Sequence, residues 1–233
     1  MSTLRLGIDT GGTYTDAVLL AESGSVVCTG KSLTTHHSLS HGINNALNQL
    51  PAEKLDHVSL VSLSTTLATN AVVEGRGTPV CLLLAGYNTH QVNRAQLEKI
   101  VRGGYCEILT GGHNASGVEQ SPLDLEAARK IVEARQDDVA AFGISSMFAV
   151  RNPEHELALQ ALVRSVSNKP VTCGHELASR LDAPRRALTV AFNASLIPYI
   201  DELIRAIESI LESRQIRAPL MMVKGDGSLI SAS

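Results

Sequence analysis

The sequence has no tryptophan, and aromatic residues fill only 3% of its 233 positions. A core without large rings must be aliphatic, which suits the Val/Ile/Leu runs of a largely buried parallel sheet. The same scarcity argues against a stacking platform for nucleic-acid bases. Cysteine is sparse as well: Cys28, Cys81, Cys106 and Cys173 lie far apart, with no Cys-x-x-Cys pair. That speaks against a disulfide framework and for free thiols in a reducing cytosol. A dominant charge is missing too. Net charge is −3 with no long run of one sign, so neither nucleic acid nor an anionic membrane surface is expected as a partner. No run approaches the ~18 apolar residues of a membrane span, and polar Asp9 arrives before a signal-like stretch could form. The expectation is a cytoplasmic protein with no membrane partner. Its length suffices for one large or two small domains.

What is present begins at residues 7–16, Gly-Ile-Asp-Thr-Gly-Gly-Thr-Tyr-Thr-Asp. The apolar run Leu4, Leu6, Ile8 reads as a strand that delivers Asp9 to its end. Gly11 and Gly12 then permit a turn with positive φ, which glycine alone adopts without steric cost. Their N–H groups can approach a phosphate closely, as backbone nests do. Thr13 and Thr15 add hydroxyl donors. Asp9 and Asp16 supply carboxylates able to hold Mg²⁺ through water. Strand, Gly-Gly turn and flanking acids together read as a phosphate-and-magnesium cradle; the competing reading is a plain two-glycine hairpin.

Strand-like and helical segments then alternate. Leu4–Asp9, Thr15–Leu20 and Val26–Ser32 read as three strands, followed by a helix over Ser40–Leu50 and a buried strand at Val58–Leu63. Ser64-Thr65-Thr66 would cap a helix through Leu67–Val73, closed by Gly75 and Gly77, before a strand at Pro79–Leu84. A second α/β unit follows: a helix over Arg94–Arg102, a strand at Glu107–Leu109, a helix from Pro122 to about Ala134, a strand at Val139–Ile144, a helix over Pro153–Val166 and a short strand at Val171–Cys173. This alternation predicts parallel pairing. Pro184 opens a long helix to about Arg214, which Pro198 should kink or split. Leu220–Val223 is the last expected strand. The organisation read from this pattern is 1–85, a phosphate-binding lobe; 86–180, a second α/β subdomain; and 181–233, a long kinked helix and the start of a further lobe.

Other groups carry chemistry less directly. Ser64, Thr65 and Thr66 set three hydroxyls at a helix N-terminus, which favours anions; with Asn70, Thr65 and Thr66 read as facing substrate. His113, in a Gly-Gly-His-Asn loop, and His175, in Cys-Gly-His-Glu, could join a carboxylate such as Glu176 to bind a second divalent metal. Their separation in sequence carries no ligand-spacing information, and local hydrogen bonding is the alternative for each. His36, His37 and His41 read as a solvated loop. The 151–156 stretch opens a helix with glutamates in its first turn, a structural role. Arg185 and Arg186 oppose the dipole of the long helix and call for a partner.

Taken together, Gly-Ile-Asp-Thr-Gly-Gly-Thr-Tyr-Thr-Asp-Ala (7–17), Ser-Thr-Thr-Leu-Ala-Thr-Asn-Ala (64–71), Gly-Gly-His (111–113), Val-Arg-Asn-Pro-Glu-His-Glu (150–156), Asn-Ala-Ser-Leu-Ile-Pro (193–198) and Val-Lys-Gly-Asp-Gly-Ser-Leu (223–229) resemble the hydantoinase/oxoprolinase family of the actin-like ATPase superfamily. The resemblance implies an α/β, ribonuclease-H-like half of an actin-like ATPase with an additional α/β subdomain. It implies ATP-dependent hydrolysis of a cyclic amide of hydantoin or 5-oxoproline type, by way of a phosphorylated carbonyl. Gly11, Gly12 and Thr13 would hold phosphates while Asp9 orients Mg²⁺ and Asp16 positions the metal or a water.

Two departures bear on this. Leu181-Asp182-Ala183-Pro184-Arg185-Arg186 stands where many members carry a Glu/Arg-rich stretch, which implies a different substrate pocket. The family also continues well past Gly227, so Asp226 and Gly227 would open the phosphate loop of a C-terminal lobe that this chain lacks, unless a second subunit supplies it. An ATP-dependent carboxylase subunit, a non-catalytic nucleotide-binding or assembly module, and a small-molecule kinase of the same superfamily are the rival readings.

Overall fold

The computed structural model describes residues 3–35, 39–66, 69–71, 75, 77–101 and 103–232. In chain order its elements are β1 (Leu4–Thr10), β2 (Tyr14–Ala21), β3 (Val26–Leu33), α1 (Leu39–Leu47), α2 (Ala52–Leu55), β4 (Val58–Thr65), β5 (Val80–Ala85), α3 (Thr89–Arg94) and α4 (Leu97–Ile100). They continue with β6 (Tyr105–Leu109), α5 (Leu125–Arg135), β7 (Ala141–Ser146), α6 (Glu154–Val166), β8 (Val171–Cys173), α7 (Gly174–Leu177), α8 (Ala183–Ser213), β9 (Leu220–Val223) and β10 (Leu229–Ser231). Two compact units result, one of residues 1–74 and 199–233, the other of residues 75–198.

The first unit rests on a six-stranded sheet in the order β10-β9-β4-β1-β2-β3. β1, β2 and β3 pair antiparallel, whereas β4 runs parallel to β1 and β9 parallel to β4. This is the ribonuclease-H-like arrangement. The period-two alternation of β1 explains the layering: Leu4, Leu6 and Ile8 are buried and Arg5 and Asp9 are exposed. The buried side joins Ala17, Leu19, Val61 and Leu63 to Ile43, Ala46 and Leu47 of α1 and to Leu203, Ile207, Ile210 and Leu211 of α8.

The second unit carries a fully parallel sheet, β6-β5-β7-β8. Every residue of β5 and β7 is buried, as expected of strands covered on both faces. Ala128 and Val132 of α5 with Leu159 and Val163 of α6 pack with Leu83 and Phe142. Val92, Leu97 and Ala187, Val190 and Ala191 of α8 pack with Leu82 and Leu84. β6 and β7 lie on opposite sides of β5, so the chain reverses direction across the sheet there, and the crevice for ligands in such sheets lies at the carboxyl ends of the strands.

Several elements differ from the sequence reading. Arg94–Arg102 is not one helix: Asn88 and Gln91 form a capping box that starts α3 earlier, and Gln96, at φ 53°, separates it from α4. Arg102 lies outside the described residues. Pro122 does not enter a helical first turn; α5 begins after Asp124, whose carboxylate accepts the Ala127 N–H at 2.9 Å. Pro198 does not split α8. A proline ring removes one backbone donor from the helical ladder, and nearby the Ser195 carbonyl accepts the Thr78 N–H at 3.2 Å and the Thr78 hydroxyl at 3.1 Å. By length and a mean hydropathy of 1.2, α8 could cross a membrane; here its apolar side chains fill the two cores. β10 is an additional strand. Of the expected helix Leu67–Val73, residues 69–71 are described and helical; the remainder, with His36 and His37, lies outside the described residues.

Gly30 is where β3 meets α1. A Cβ there would stand 2.1 Å from the Ala46 carbonyl oxygen. Gly30→Ala should therefore cost about 1–3 kcal/mol in urea denaturation. Gly225→Ala, with open space around its Cβ position, should stay within about 0.5 kcal/mol of the parent.

Candidate functional site

In the first unit, Asp9 and Asp16 are direct cross-strand partners. Opposed residues of an antiparallel pair project to the same face. Ser64 of β4 stands level with Asp9 on its other side. These three residues, with Gly7, Val18, Ser62 and Val223, line a shallow cavity of about 180 Å³ on the face opposite the apolar core. The Lys31 ammonium pairs with Asp16 at 3.0 Å and lies 4.5 Å above the Tyr14 ring. Among the described residues, Asp9 has no cationic partner.

The turn that follows is built differently from the sequence expectation. Neither Gly11 nor Gly12 adopts positive φ. Their small size serves close approach instead: a Cβ on Gly12 would meet the Asn70 amide nitrogen at 2.8 Å, and one on Gly11 the Tyr14 carbonyl oxygen at 3.2 Å. Asn70 in turn donates to the Thr66 hydroxyl at 3.3 Å. The Thr10 carbonyl accepts the Thr65 hydroxyl at 3.1 Å and the Thr66 N–H at 3.4 Å. The turn and the 64–70 segment thus meet, because β1 and β4 run parallel and end together.

Individual donors fare unequally. Gly11 N–H is used within the turn, donating to Tyr14. The Thr15 hydroxyl points inward, buried and paired with Thr34 at 3.0 Å, so it is a strut and not a free donor. Thr34 also donates to the Gly11 carbonyl at 2.9 Å. Thr13 is exposed. Asp226 and Gly227 form the hairpin turn between β9 and β10, with Gly227 at φ 82°. The Ser228 hydroxyl and N–H donate to Asp226 at 2.6 and 2.9 Å and hold its carboxyl below the usual range.

The second unit gathers a different set at the carboxyl edge of its sheet. His113 and His175 do not share a ligand set. His113 stacks on His155, ring centroids 4.2 Å apart, and is buried with neither ring nitrogen partnered among the described residues. Burial, then His155, pushes its pKa down. Nδ1 of His155 accepts the Gly112 N–H at 3.0 Å, so Nε2 carries the proton and donates to Glu119 at 2.9 Å.

His175 belongs with Glu156, not with Glu176. Its Nδ1 lies 2.7 Å from Glu156 Oε2, and its own N–H donates to the same oxygen at 2.8 Å. The other carboxylate oxygen accepts the Ser146 N–H at 2.8 Å. Cys173 Sγ approaches the Glu156 carbonyl at 3.8 Å, and burial pushes this thiol up to about 12. Arg186 finds its partners in carbonyls: those of Arg180 and Ser146, each at 2.8 Å. His155 and Glu156 were readable only as helix-opening residues, since their partners come from other strand ends.

His113 makes a testable contribution to stability. Its folded pKa lies below the value of about 6.5 for a free histidine. The His113 contribution is therefore complete above that pH and falls as acid charges the unfolded chain but not the buried ring. His113→Phe sacrifices no hydrogen bond and should flatten the loss in urea denaturation below about pH 6.5.

The model of the hydantoinase/oxoprolinase N-terminal region matches residues 5–167. Caprolactamase subunit alpha of Pseudomonas jessenii is 30% identical over 249 residues, covering 97% of this chain and 36% of that protein. The crystal structure of the ATP-dependent caprolactamase from the same organism superposes with a TM-score of 0.77 at 29% identity, over 98% of this chain and 36% of that one. Nucleotide-free acetone carboxylase shares the fold, with a TM-score of 0.73 at 19% identity over 100% of this chain and 38% of that one. The chain thus spans about a third of the length of the curated relatives it matches.

Proposed function

Since the chain belongs to the hydantoinase/oxoprolinase family, matching its N-terminal region, we propose that it forms the first phosphate-binding lobe of an ATP-dependent enzyme that opens cyclic amides. The observation that carries this reading is the Asp9–Asp16 pair, opposed across a hairpin whose Gly11-Gly12 turn is held by Thr34 and Asn70. Hard carboxylate oxygens on an open face suit Mg²⁺. The donor set therefore fits a magnesium-bound phosphate. Caprolactam, the substrate named for the relative at 30% identity, is itself a cyclic amide, which favours hydrolysis over carboxylation.

When bound, ATP would give its terminal phosphoryl group to the amide oxygen, leaving the carbon open to water, while Mg²⁺ offsets the phosphate charge. Within this chain, Asp9 is the carboxylate free to hold the cation, and Lys31 restrains Asp16 beside it. The N–H groups of Gly12 and Thr13 and the Thr13 hydroxyl serve as phosphate donors. Thr65, Thr66 and Asn70 keep the turn in place by packing under it, a role in support of the phosphates in addition to any contact with substrate. Catalysis on this scheme is positioning and charge stabilisation. Asp226 and Gly227 contribute the second phosphate turn together with residues of a C-terminal lobe or second subunit.

The test is ADP release coupled to ring opening in the complete enzyme. Asp9→Asn should reduce kcat at least ~100-fold, with an unchanged circular dichroism spectrum. Wild-type turnover by that variant would overturn the assignment. Product carrying fixed bicarbonate, in place of an opened ring, would assign the carboxylase activity instead.

A further inference from the structure

The second unit contains a cluster that the nucleotide reading does not use. Cys173 closes β8, His175 is the second residue of α7, and Glu156 sits in the first turn of α6. One ligand atom from each lies within 4.8 Å of the other two. We propose that Glu156, Cys173 and His175 bind a divalent cation of the zinc class at the carboxyl edge of the parallel sheet.

Charge supports this first. Glu156 is fully buried, and among the described residues its ion-pair partner is His175. Arg186 flanks the same Gly174 backbone, its guanidinium donating to the Arg180 and Ser146 carbonyls. A buried carboxylate needs compensating charge and hydrogen bonds around it. A dication held by one thiolate and one carboxylate is neutral overall, so the cation would satisfy the site it enters.

Donor chemistry selects the metal. Sulfur, imidazole nitrogen and carboxylate oxygen together suit Zn²⁺ and not Mg²⁺. Zinc bonds of about 2.0–2.3 Å set donor-to-donor edges of roughly 3.3–3.6 Å. The 2.7 Å contact between Glu156 Oε2 and His175 Nδ1 opens to that edge, and the longer separations, up to 4.8 Å, close by side-chain adjustment on the order of an ångström. Orientation is already provided, because the N–H groups of Ser146 and His175 pin the two oxygens of Glu156, as surrounding hydrogen bonds commonly fix metal ligands. The Ser146 hydroxyl, buried and unpartnered among the described residues, adds a polar group to the same edge.

The exchange balances. The metal forms its bond to Cys173 Sγ as the S–H bond breaks, and that proton leaves to solvent. The imidazole proton moves from Nδ1 to Nε2, which frees the Nδ1 lone pair for the cation. No electron transfer is involved.

The purified full chain, stripped with chelator, would be titrated with Co²⁺ and then Zn²⁺. The expected result is one equivalent with a near-ultraviolet thiolate–cobalt band that Zn²⁺ abolishes and excess Mg²⁺ does not. Cys173→Ser should remove the band, with Cys28 and Cys106 left in place as controls. His175→Ala should weaken binding at least roughly tenfold, with its circular dichroism spectrum reporting an intact fold. Absence of binding to the folded parent, or a band that survives Cys173→Ser, would overturn the proposal and leave the Asp9 assignment untouched.

Discussion

The alternation of side chains along β1 governs the first unit. Leu4, Leu6 and Ile8 must face the core, so Gly7 and Asp9 must face away from it. A slip of one residue would bury the Asp9 carboxylate and expose Ile8, and both changes are unfavourable. β2 pairs antiparallel with this strand and β4 parallel to it, so the same alternation fixes Asp16 on one side of Asp9 and Ser64 on the other. The polar face is thus a by-product of apolar packing. No separate device is needed to hold the two carboxylates together.

The second unit uses another constraint. Its strands all point the same way, so each carboxyl end delivers a loop to one edge. Gly112 and His113 follow β6, Ser146 ends β7, and His175 follows β8. His155 and Glu156, in the first turn of α6, reach back to that edge and join it by hydrogen bonds. Neighbours in sequence there serve different partners: His155 braces the 111–119 loop, while Glu156 braces the ends of β7 and β8.

This contrast explains how much was legible in the sequence. Asp9, the Gly-Gly turn and Asp16 fall within eight residues, and a hairpin is a local structure, so the meeting of the two carboxylates could be read directly. The three successive strands of the first sheet were similarly legible as local runs, while their ribonuclease-H-like order came from the family resemblance. The positive φ expected at Gly11 and Gly12 was not found, since sequence cannot distinguish a glycine needed for its dihedrals from one needed for room, here the room taken by Asn70. The pairing of His113 with His155 and of His175 with Glu156 could not be read at all. Parallel crossovers bring these groups together with no characteristic spacing, and a histidine carries the same letter whether it is stacked, pinned or ligating.

The parallel pairing of β4 with β9 links Val61 to Leu220, and this has a consequence during synthesis. Residues 75–198, uninterrupted, can acquire their own core while the chain is still emerging. The meander of β1, β2 and β3 must wait until α8 and β9 arrive, with Leu6, Ile8 and Leu19 only partly covered. At about 5–20 residues per second, the delay is on the order of ten to thirty seconds. For that interval the nascent chain presents an unfinished apolar sheet.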